Sequence, residues 1–477
     1  MEKLLTLLLF YFLIIFSIIG YGNLFSQIFK RIYSIGERGL VGILSLIIIS
    51  YITNLFFPHS LTHNSLIITL GLLIFVFYTV KNFRNNIKEL LPIIVVFLIL
   101  FIGLLMQKNH DDFYYYHFSY TLILTNFEKI FGLGNLNHGF RTPSSIFYLN
   151  SLFYLPGIKY YLMNSGAAYI LGFSNYIIFK NIKDLIGKNN LIHILFLSIL
   201  SLVYINSVFS RIAEHGTDRS ALILIFVMAI FYLKSMAYKK NEFNFNYFNN
   251  FYSKLALLFA IIISLKSFYI IYLIIFLLWF FQMNKFFKLR IIFSLIFKNY
   301  YTYLILFFFF FSIFTTFSNT GCLIYPASFT CFENFSWSIP VQQVDQMQLW
   351  YEQWSKAGAT PTFRAENPEL YIDKLNWVHN WIDEYFFTKV SDNIFSIILI
   401  SLIVFGFFTY KCSKIKKITY DYNYKLFYFL ILFLFLEWFY NHPALRYGGY
   451  TLLALIFFIP ISIYLSQFKF NTKVLKK

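Results

Sequence analysis

A long apolar run decides the fold class: residues 255–282 read LALLFAIIISLKSFYIIYLIIFLLWFFQ, with Lys266 near the middle. A helix that crosses the hydrocarbon core of a membrane needs about 17–25 apolar residues. The run is too long for one crossing, and a charged side chain inside lipid is costly. We therefore expect two short helices that turn at Lys266. Both must be helical, because lipid offers no water to unpaired backbone groups.

Shorter apolar runs recur along the whole chain, each of a length to cross a membrane once. The sequence therefore predicts an all-α polytopic membrane protein with about 11–13 transmembrane helices, folded as one integral membrane domain over residues 1–477. The first run has no small-residue cleavage site and is followed by Lys30 and Arg31, so we expect a retained helix. The predicted spans lie near residues 4–22, 39–57, 65–80, 90–106, 160–180, 191–209, 220–234, 299–317, 392–410, 424–440 and 449–466.

The composition excludes two broad classes of protein. The chain is 59% apolar and 13% charged, whereas a soluble domain is about 45–50% apolar and about 25% charged. A disordered protein would be poor in large apolar side chains. The net charge of +18 would ordinarily suggest a nucleic-acid partner, but the basic residues are concentrated in alternate connections between the spans. We therefore expect a membrane and no nucleic acid as partner.

The basic connections also predict the orientation. Lys and Arg are concentrated in connections such as 81–88, 285–298 and 411–417, whereas residues 57–64 contain neither. The positive-inside rule places the basic connections in the cytoplasm. The sequence thus predicts a multi-pass protein of a bacterial inner (plasma) membrane, with a periplasmic N-terminus and a cytoplasmic C-terminus.

Two predicted periplasmic segments, 107–158 and 318–391, are longer than a connection requires. We expect re-entrant or amphipathic helices in the first and a loop or subdomain in the second. Cys322 and Cys331 lie in the second segment, where oxidation is permitted. They are expected to form a disulfide, with two free thiols as the alternative.

The first candidate site is HDDFYYYH, residues 110–117, directly after the fourth predicted span. Asp111 or Asp112 could act as a general base, and His117 could supply a proton or orient a phosphate. Asp and His together could also hold a divalent metal, Mg²⁺ or Mn²⁺. The alternative is that the two acids cap the helix that begins near Phe113.

Other ionisable residues in predicted outside connections form weaker candidates. Within GLGNLNHGFRTPSS, residues 132–145, Arg141 could hold a phosphate through its planar guanidinium, and the alternative is a structured turn. Lys266 could bind an anionic headgroup or extend to the membrane surface. The remaining candidates are His138 in the same stretch; Arg211, Glu214, His215, Asp218 and Arg219, which could equally be ion-paired helix caps; and Glu437, His442 and Arg446, where Glu437 could simply pair with Arg446.

Tryptophan is concentrated in the segment 318–391, which holds five of the seven Trp residues. Trp350 with Trp354, and Trp377 with Trp381, are spaced four residues apart, so each pair shares one helix face. Aromatic faces can stack on sugar rings, but Trp near a membrane surface more commonly anchors helices. We expect anchoring.

Several of these residues, in this order, resemble the GT-C superfamily of polytopic membrane glycosyltransferases, and in particular a poorly characterised bacterial family of multi-pass envelope-glycan proteins. The resemblance rests on residues 112–117, 134–145, LIYP at 323–326 with WSIP at 337–340, and PALR at 443–446. It implies a sugar donor linked to polyprenyl phosphate, a glycan or lipid acceptor, and transfer on the outer face. One departure is that the acids follow the fourth predicted span, whereas the GT-C pattern places them after the first.

The resemblance also implies roles for individual residues. Asp111 or Asp112 would be the acid that acts as base toward the acceptor or helps to bind a metal. Arg141, Lys266 and Arg446 would be candidates for the lipid-phosphate site. Two alternatives remain: an O-antigen-type polymerase or ligase, and a non-enzymatic lipid or glycan transporter. Transporters commonly contain repeats and ionisable residues at mid-membrane, whereas here the acids cluster at one face and the sequence shows no repeat.

The predicted orientation is testable by thiol labelling in a chain that carries Cys412→Ser. We expect a Ser60→Cys variant to react with a membrane-impermeant maleimide added to intact cells, because residue 60 lies in a connection without basic residues. An Asn85→Cys variant should react only after permeabilisation. The reverse pattern would contradict the predicted topology.

Overall fold

The computed structural model describes residues 2–31, 33–81, 83–106, 112–186, 188, 191–209, 216–237, 245–285, 287–360, 363–409 and 422–468. Within these residues the chain is helical and contains no β-strand. The first half holds α1 Glu2–Ile28, α2 Ile35–Asn54, α3 Leu61–Lys81, α4 Phe83–Met106, α5 Phe118–Asn126, α6 Ser145–Ser151, α7 Gly166–Leu185, α8 Ile192–Val208 and α9 Thr217–Met236. The second half holds α10 Phe245–Leu265, α11 Leu273–Met283, α12 Leu289–Phe297, α13 Tyr300–Thr320, α14 Val341–Lys356, α15 Pro368–Ile372, α16 Val378–Trp381, α17 Ser391–Thr409, α18 Tyr422–Asn441 and α19 Gly449–Leu465.

Most of these helices are apolar over a length that matches a bilayer. Among the described residues, nine helical segments are long and apolar enough to cross a membrane, and three further apolar helices are shorter. The prediction of a polytopic helical membrane protein is confirmed. The nine segments are Glu2–Ile28, Ile35–Asn54, Leu61–Lys81, Lys88–Met106, Thr217–Met236, Phe245–Leu265, Tyr300–Thr320, Val378–Thr409 and Tyr424–Asn441, and the shorter ones are Ile192–Val208, Ser267–Met283 and Gly449–Leu465.

The long apolar run breaks at the predicted residue. α10 ends at Leu265, Lys266 has an extended backbone conformation, and a 3-10 turn, Ser267–Tyr272, leads into α11. The prediction of two short helices is wrong for the first of them, because α10 begins at Phe245 and has 21 residues. The first turns of α10 are rich in Asn, but they also carry Phe248, Phe251 and Tyr252. These three aromatic side chains are buried in the core and account for the earlier start of the helix.

The predicted span 160–180 begins too early. Residues 155–165 form turns in the structure, and the helix starts only at Gly166. Gly157 and Lys159 both have positive φ angles, a conformation that ends regular helix. Hydropathy alone predicts a span that starts near residue 160, but these turns delay the helix to Gly166.

Small residues bring the first three helices into close contact. A Cβ atom added at Gly42 of α2 would lie 1.8 Å from the carbonyl oxygen of Ile18 in α1. One added at Gly20 of α1 would lie 1.9 Å from the carbonyl oxygen of Gly71 in α3. Because lipid tails are as apolar as the side chains themselves, such close backbone packing is a principal source of helix association in membranes.

Charged side chains at one end of the helices are paired with one another. Lys254 Nζ lies 2.6 Å from a carboxylate oxygen of Glu37, which also accepts from the backbone of Ser34 in a capping box at the start of α2. Lys180 pairs with Glu89. This end contains Lys234, in the last turn of α9, and is therefore opposite the end at which α9 begins.

We expect Gly42→Ala to destabilise the protein by about 1–3 kcal/mol, because the new methyl group overpacks the contact between α1 and α2. Gly406→Ala is the matched control, since nothing lies within 4 Å of a Cβ at that position. It should be neutral or slightly stabilising, as Ala is the better helix former. Thermal unfolding in detergent measures both, and equal stability of the two variants would contradict the packing.

Candidate functional site

Arg446 lies at the centre of a cluster of charged and aromatic side chains. It belongs to a 3-10 turn, Leu445–Tyr447, between α18 and α19. Its guanidinium carbon lies 4.7 Å from the ring centroid of Trp354 and 5.1 Å from that of Tyr447. Nη1 lies 3.6 Å from Oδ2 of Asp112, and Nη2 donates to the Tyr447 hydroxyl at 3.3 Å. The cation is thus held by two aromatic rings and one carboxylate.

The backbone of this turn is fixed by hydrogen bonds from distant segments. Side chains of three earlier helical regions and of α18 contribute one hydrogen bond each, so the position of Arg446 depends on tertiary packing and not on local sequence. The bonds are Trp381 Nε1 to Pro443 O at 3.0 Å, Trp438 Nε1 to Ala444 O at 3.0 Å, Leu445 N to Tyr385 Oη at 2.9 Å, and Tyr269 Oη to Arg446 O at 3.2 Å.

A second ion pair completes the cluster. Lys266, at the break after α10, has its Nζ 3.8 Å from Oδ1 of Asp218 and 6.0 Å from the Tyr447 ring centroid. Asp218 lies in the first turn of α9, where a carboxylate is favoured by the helix dipole. We refer to Asp112, Asp218, Lys266 and Arg446, with Trp354 and Tyr447, as the Arg446 cluster.

Neither ion pair is a close hydrogen bond. Charge-assisted N–H···O contacts are normally about 2.7–2.9 Å long, whereas these two measure 3.6 and 3.8 Å. In the described part of the chain, Arg446 Nε and Asp218 Oδ1 are buried without a hydrogen-bond partner. A buried donor without an acceptor is costly. Arg446 therefore offers one unsatisfied cationic N–H donor to an anionic ligand.

The electrostatic surroundings keep Arg446 charged. Burial alone would lower the pKa of its guanidinium, but Tyr447, Asp218 and Tyr116 together raise it above the ordinary value. Burial lowers the pKa of the neighbouring His442, so its imidazole is neutral near pH 7. Burial also raises the pKa of Tyr116, which interacts with Asp112 and Arg446, well above 10. The cluster therefore combines fixed cations with neutral proton donors.

Tyr116 reaches the cluster because of a glycine in the predicted loop motif. A Cβ added at Gly139 would lie 2.3 Å from the Tyr116 ring. The same loop is tied to α13 by Asn319, whose amide donates to Phe140 O at 2.7 Å and accepts from Lys129 Nζ at 2.9 Å. Burial lowers the pKa of Lys129 to about 7. These hydrogen bonds hold the loop against α13.

Four of the residues predicted from the sequence meet in this cluster: Asp112, Asp218, Lys266 and Arg446. Asp112 makes no capping hydrogen bond, so the interpretation as a helix cap does not hold for it. His442 lies beside the cluster, with its ring centroid 6.0 Å from that of Tyr447. Asp111 and Glu214 lie outside the described residues, as do Arg211 and His215.

Three other predicted residues, His117, Arg141 and Glu437, make the following contacts outside the Arg446 cluster. His117 is buried among Tyr116 and Phe147, with ring centroids at 4.2 and 5.1 Å. Arg141 is buried, with Nε donating to Gly134 O at 3.2 Å and Nη1 to the Tyr325 hydroxyl at 2.6 Å. This supports the structured-turn interpretation of residues 132–145 over a phosphate clamp. The Glu437 carboxylate accepts from Asn441 at 3.1 Å.

His138 takes an intermediate position. Its Nδ1 lies 3.2 Å from the Tyr115 hydroxyl, and its ring lies edge-on to Trp350. Burial lowers its pKa, with a further lowering from Arg141. His138 therefore borders the aromatic side of the cluster and does not contact its ion pairs.

The predicted disulfide is present, joining Cys322 and Cys331. Cys322 is buried with Tyr325, Ile339 and Val344, so the disulfide anchors the segment that leads into α14. The described residues contain no group of three or more His, Cys, Asp or Glu side chains that could hold a metal ion.

A family model described as Domain of unknown function (DUF8201) matches residues 4–453. The chain belongs to the DUF8201 family. The match covers every member of the Arg446 cluster, from Asp112 to Tyr447. No curated protein and no solved structure matches the chain.

Sequence reasoning missed three residues of this DUF8201 site: Tyr116, Trp354 and Tyr447. Tyr447 follows Arg446 directly, and Tyr116 lies within the quoted HDDFYYYH motif, but one aromatic residue among many carries no distinguishing signal. For Trp354 the signal was its spacing from Trp350. The anchoring prediction fits the buried pair Trp377 and Trp381 but not Trp354, which lies against a cation.

Proposed function

We propose that this DUF8201 protein is a membrane glycosyltransferase of GT-C type. It would transfer a sugar from a polyprenyl-phosphate-linked donor to a glycan or lipid acceptor during cell-envelope glycan biosynthesis. The observation that carries the proposal is the convergence of Arg446, Lys266, Asp112 and Asp218 at one end of long apolar helices. A lipid tail can remain in the bilayer there while its phosphate meets two cations.

The two cations are suited to a phosphate leaving group. Arg446 presents a buried Nε without a hydrogen-bond partner in the described part of the chain, and its planar guanidinium matches phosphate geometry. Lys266 adds a second positive charge, held by Asp218 at 3.8 Å. Preorganised cations of this kind stabilise the negative charge that develops as the sugar–phosphate bond breaks.

Asp112 is the candidate base. Its carboxylate would accept the proton of the acceptor hydroxyl while that oxygen forms a bond to the anomeric carbon. The bond between the anomeric carbon and the phosphate oxygen breaks, and its electron pair leaves with the phosphate held by Arg446 and Lys266. Asp112 lies 3.6 Å from Arg446, so base and leaving-group site are adjacent. Asp111 is the alternative base, as in the sequence prediction.

The proposal places the cluster on the periplasmic face of a bacterial inner membrane, with about 11–13 crossings and an outer N-terminus. Its support is the separation of charge along α9, where Lys234 in the last turn lies at the opposite end from Asp218 in the first turn. Basic residues favour the cytoplasmic side. A transporter is less well supported, since transporters carry ionisable groups at mid-membrane and this cluster lies where helices begin and end.

We expect Asp112→Asn and Arg446→Gln to abolish the glycan product in cells, with the lipid-linked donor accumulating. Loss of a general base typically lowers the rate by about 10²–10⁴-fold, and loss of a fixed charge partner by about 10²–10³-fold. Mass spectrometry of surface glycans and lipid-linked intermediates measures both effects.

Asp392→Asn and Arg290→Gln are the matched controls, because both side chains are exposed and lie on α17 and α12, which contribute no member of the cluster. They should leave the glycan profile unchanged. A normal profile in Asp112→Asn cells that contain wild-type amounts of the protein would contradict the catalytic role of Asp112.

A further inference from the structure

The two tryptophan pairs of the segment 318–391 differ in burial although their spacing is identical. Trp377 and Trp381 are 0% and 4% exposed, and their indole N–H groups donate to Lys374 O and Pro443 O. Trp350 and Trp354 are only partly buried. Their indole N–H groups donate to no acceptor within the described ranges. The first pair belongs to the core, whereas the second pair is open to a ligand.

The partly buried pair forms a continuous aromatic surface. The rings of Trp350 and Trp354 are stacked, with centroids 6.2 Å apart and planes 26° apart. Arg446 lies over Trp354 at 4.7 Å. The surface therefore starts at the proposed leaving-group site and extends along α14 by one helical turn, about 6 Å.

Polar groups border the far end of this surface. His138 lies edge-on to Trp350 with centroids 6.2 Å apart, and the Tyr115 hydroxyl lies 3.2 Å from His138 Nδ1. Tyr115 is 53% exposed. Gln346 and Gln343 precede Trp350 by four and seven residues, so they share its helix face, and both are exposed. Aromatic faces bordered by amide, imidazole and hydroxyl groups match a sugar, which has an apolar C–H face and a polar rim.

One side chain already contacts Trp350 from the solvent side. The guanidinium carbon of the exposed Arg364 lies 5.6 Å from the Trp350 ring centroid. A cation–π contact at an exposed site is weak. A sugar ring could displace it, after which the guanidinium would be available to donate to sugar hydroxyls.

We propose that Trp350, continued by Trp354, is the binding platform for the acceptor, and that the acceptor is an oligosaccharide whose rings stack on α14. The proposal rests on the proposed function and specifies its substrate class. The donor sugar is attached to the phosphate beside Arg446, so a surface that extends away from Arg446 serves the other substrate. A small-molecule or protein acceptor would not require a stack of two indoles.

The test uses the full chain, purified in nanodiscs, on an array of microbial polysaccharide fragments. We expect wild-type protein to bind at least one oligosaccharide class and Trp350→Ala to bind it about tenfold more weakly, since an aromatic contact is lost. Trp350→Phe should retain most of the binding because it keeps an aromatic face. Phe329→Ala removes a 90% exposed aromatic residue of the same segment and should bind as wild type does.

The variant Asp112→Asn separates this inference from the proposed function. It should bind the array as wild type does, because the substitution leaves the aromatic faces of Trp350 and Trp354 in place, although it cannot transfer sugar. An array without binding, or equal binding by Trp350→Ala and wild type, would overturn the platform while leaving the transferase proposal standing. Platform binding together with normal glycan profiles in both Asp112→Asn and Arg446→Gln cells would overturn the transferase and leave only a glycan-binding protein.

Discussion

A guanidinium at the edge of a bilayer must find its counter-charge and its aromatic partners inside the protein, and Arg446 finds them in distant parts of the chain. Asp112 precedes α5, Trp354 belongs to α14, and the hydroxyl of Tyr269 bonds the backbone carbonyl of Arg446 from the turn after Lys266. These contacts join the start of the segment before α5, α14 and the turn after Lys266 to the connection between α18 and α19. Lys266 and Asp218 form a second ion pair beside Tyr447, with a longer distance of 3.8 Å.

The same constraint explains why the charged side chains on and between these helices are paired with one another. Charges are costly in hydrocarbon, and the helices between the two ends are almost wholly apolar. At the opposite end Glu37 and Lys254 form a close pair at 2.6 Å, whereas the ion pairs of the Arg446 cluster remain at 3.6 and 3.8 Å. The Arg446 cluster therefore keeps one unsatisfied donor, Arg446 Nε, for a ligand.

Much of the fold could be predicted from the sequence, because apolar length alone identifies membrane helices. The break at Lys266 was predictable for the same reason, since one charge interrupts a run of apolar residues. The start of α10 at Phe245 was not predictable, because several Asn residues lower the hydropathy of its first turns although their aromatic side chains are buried. Hydropathy places the span near 160–180 too early, because it contains no information about backbone angles such as the positive φ values of Gly157 and Lys159.

The site was only partly predictable, since its members lie far apart in sequence. Asp112, Lys266 and Arg446 were each recognisable as charges in predicted outer connections, but no local pattern shows that they meet. Arg141 is equally suited to phosphate by its chemistry, yet it is buried and two of its donors bind Gly134 and Tyr325. The two tryptophan pairs have the same spacing and opposite burial, which only tertiary packing determines.

The central claim is that the Arg446 cluster binds the phosphate of a lipid-linked donor. Cryo-electron microscopy of the full chain in nanodiscs loaded with polyprenyl phosphate tests this most directly. The account predicts phosphate density about 3 Å from the Arg446 guanidinium and Lys266 Nζ, with the tail running into the bilayer. Phosphate density at the opposite end, beside Lys234 and Lys254, with Arg446 still paired to Asp112, would contradict it.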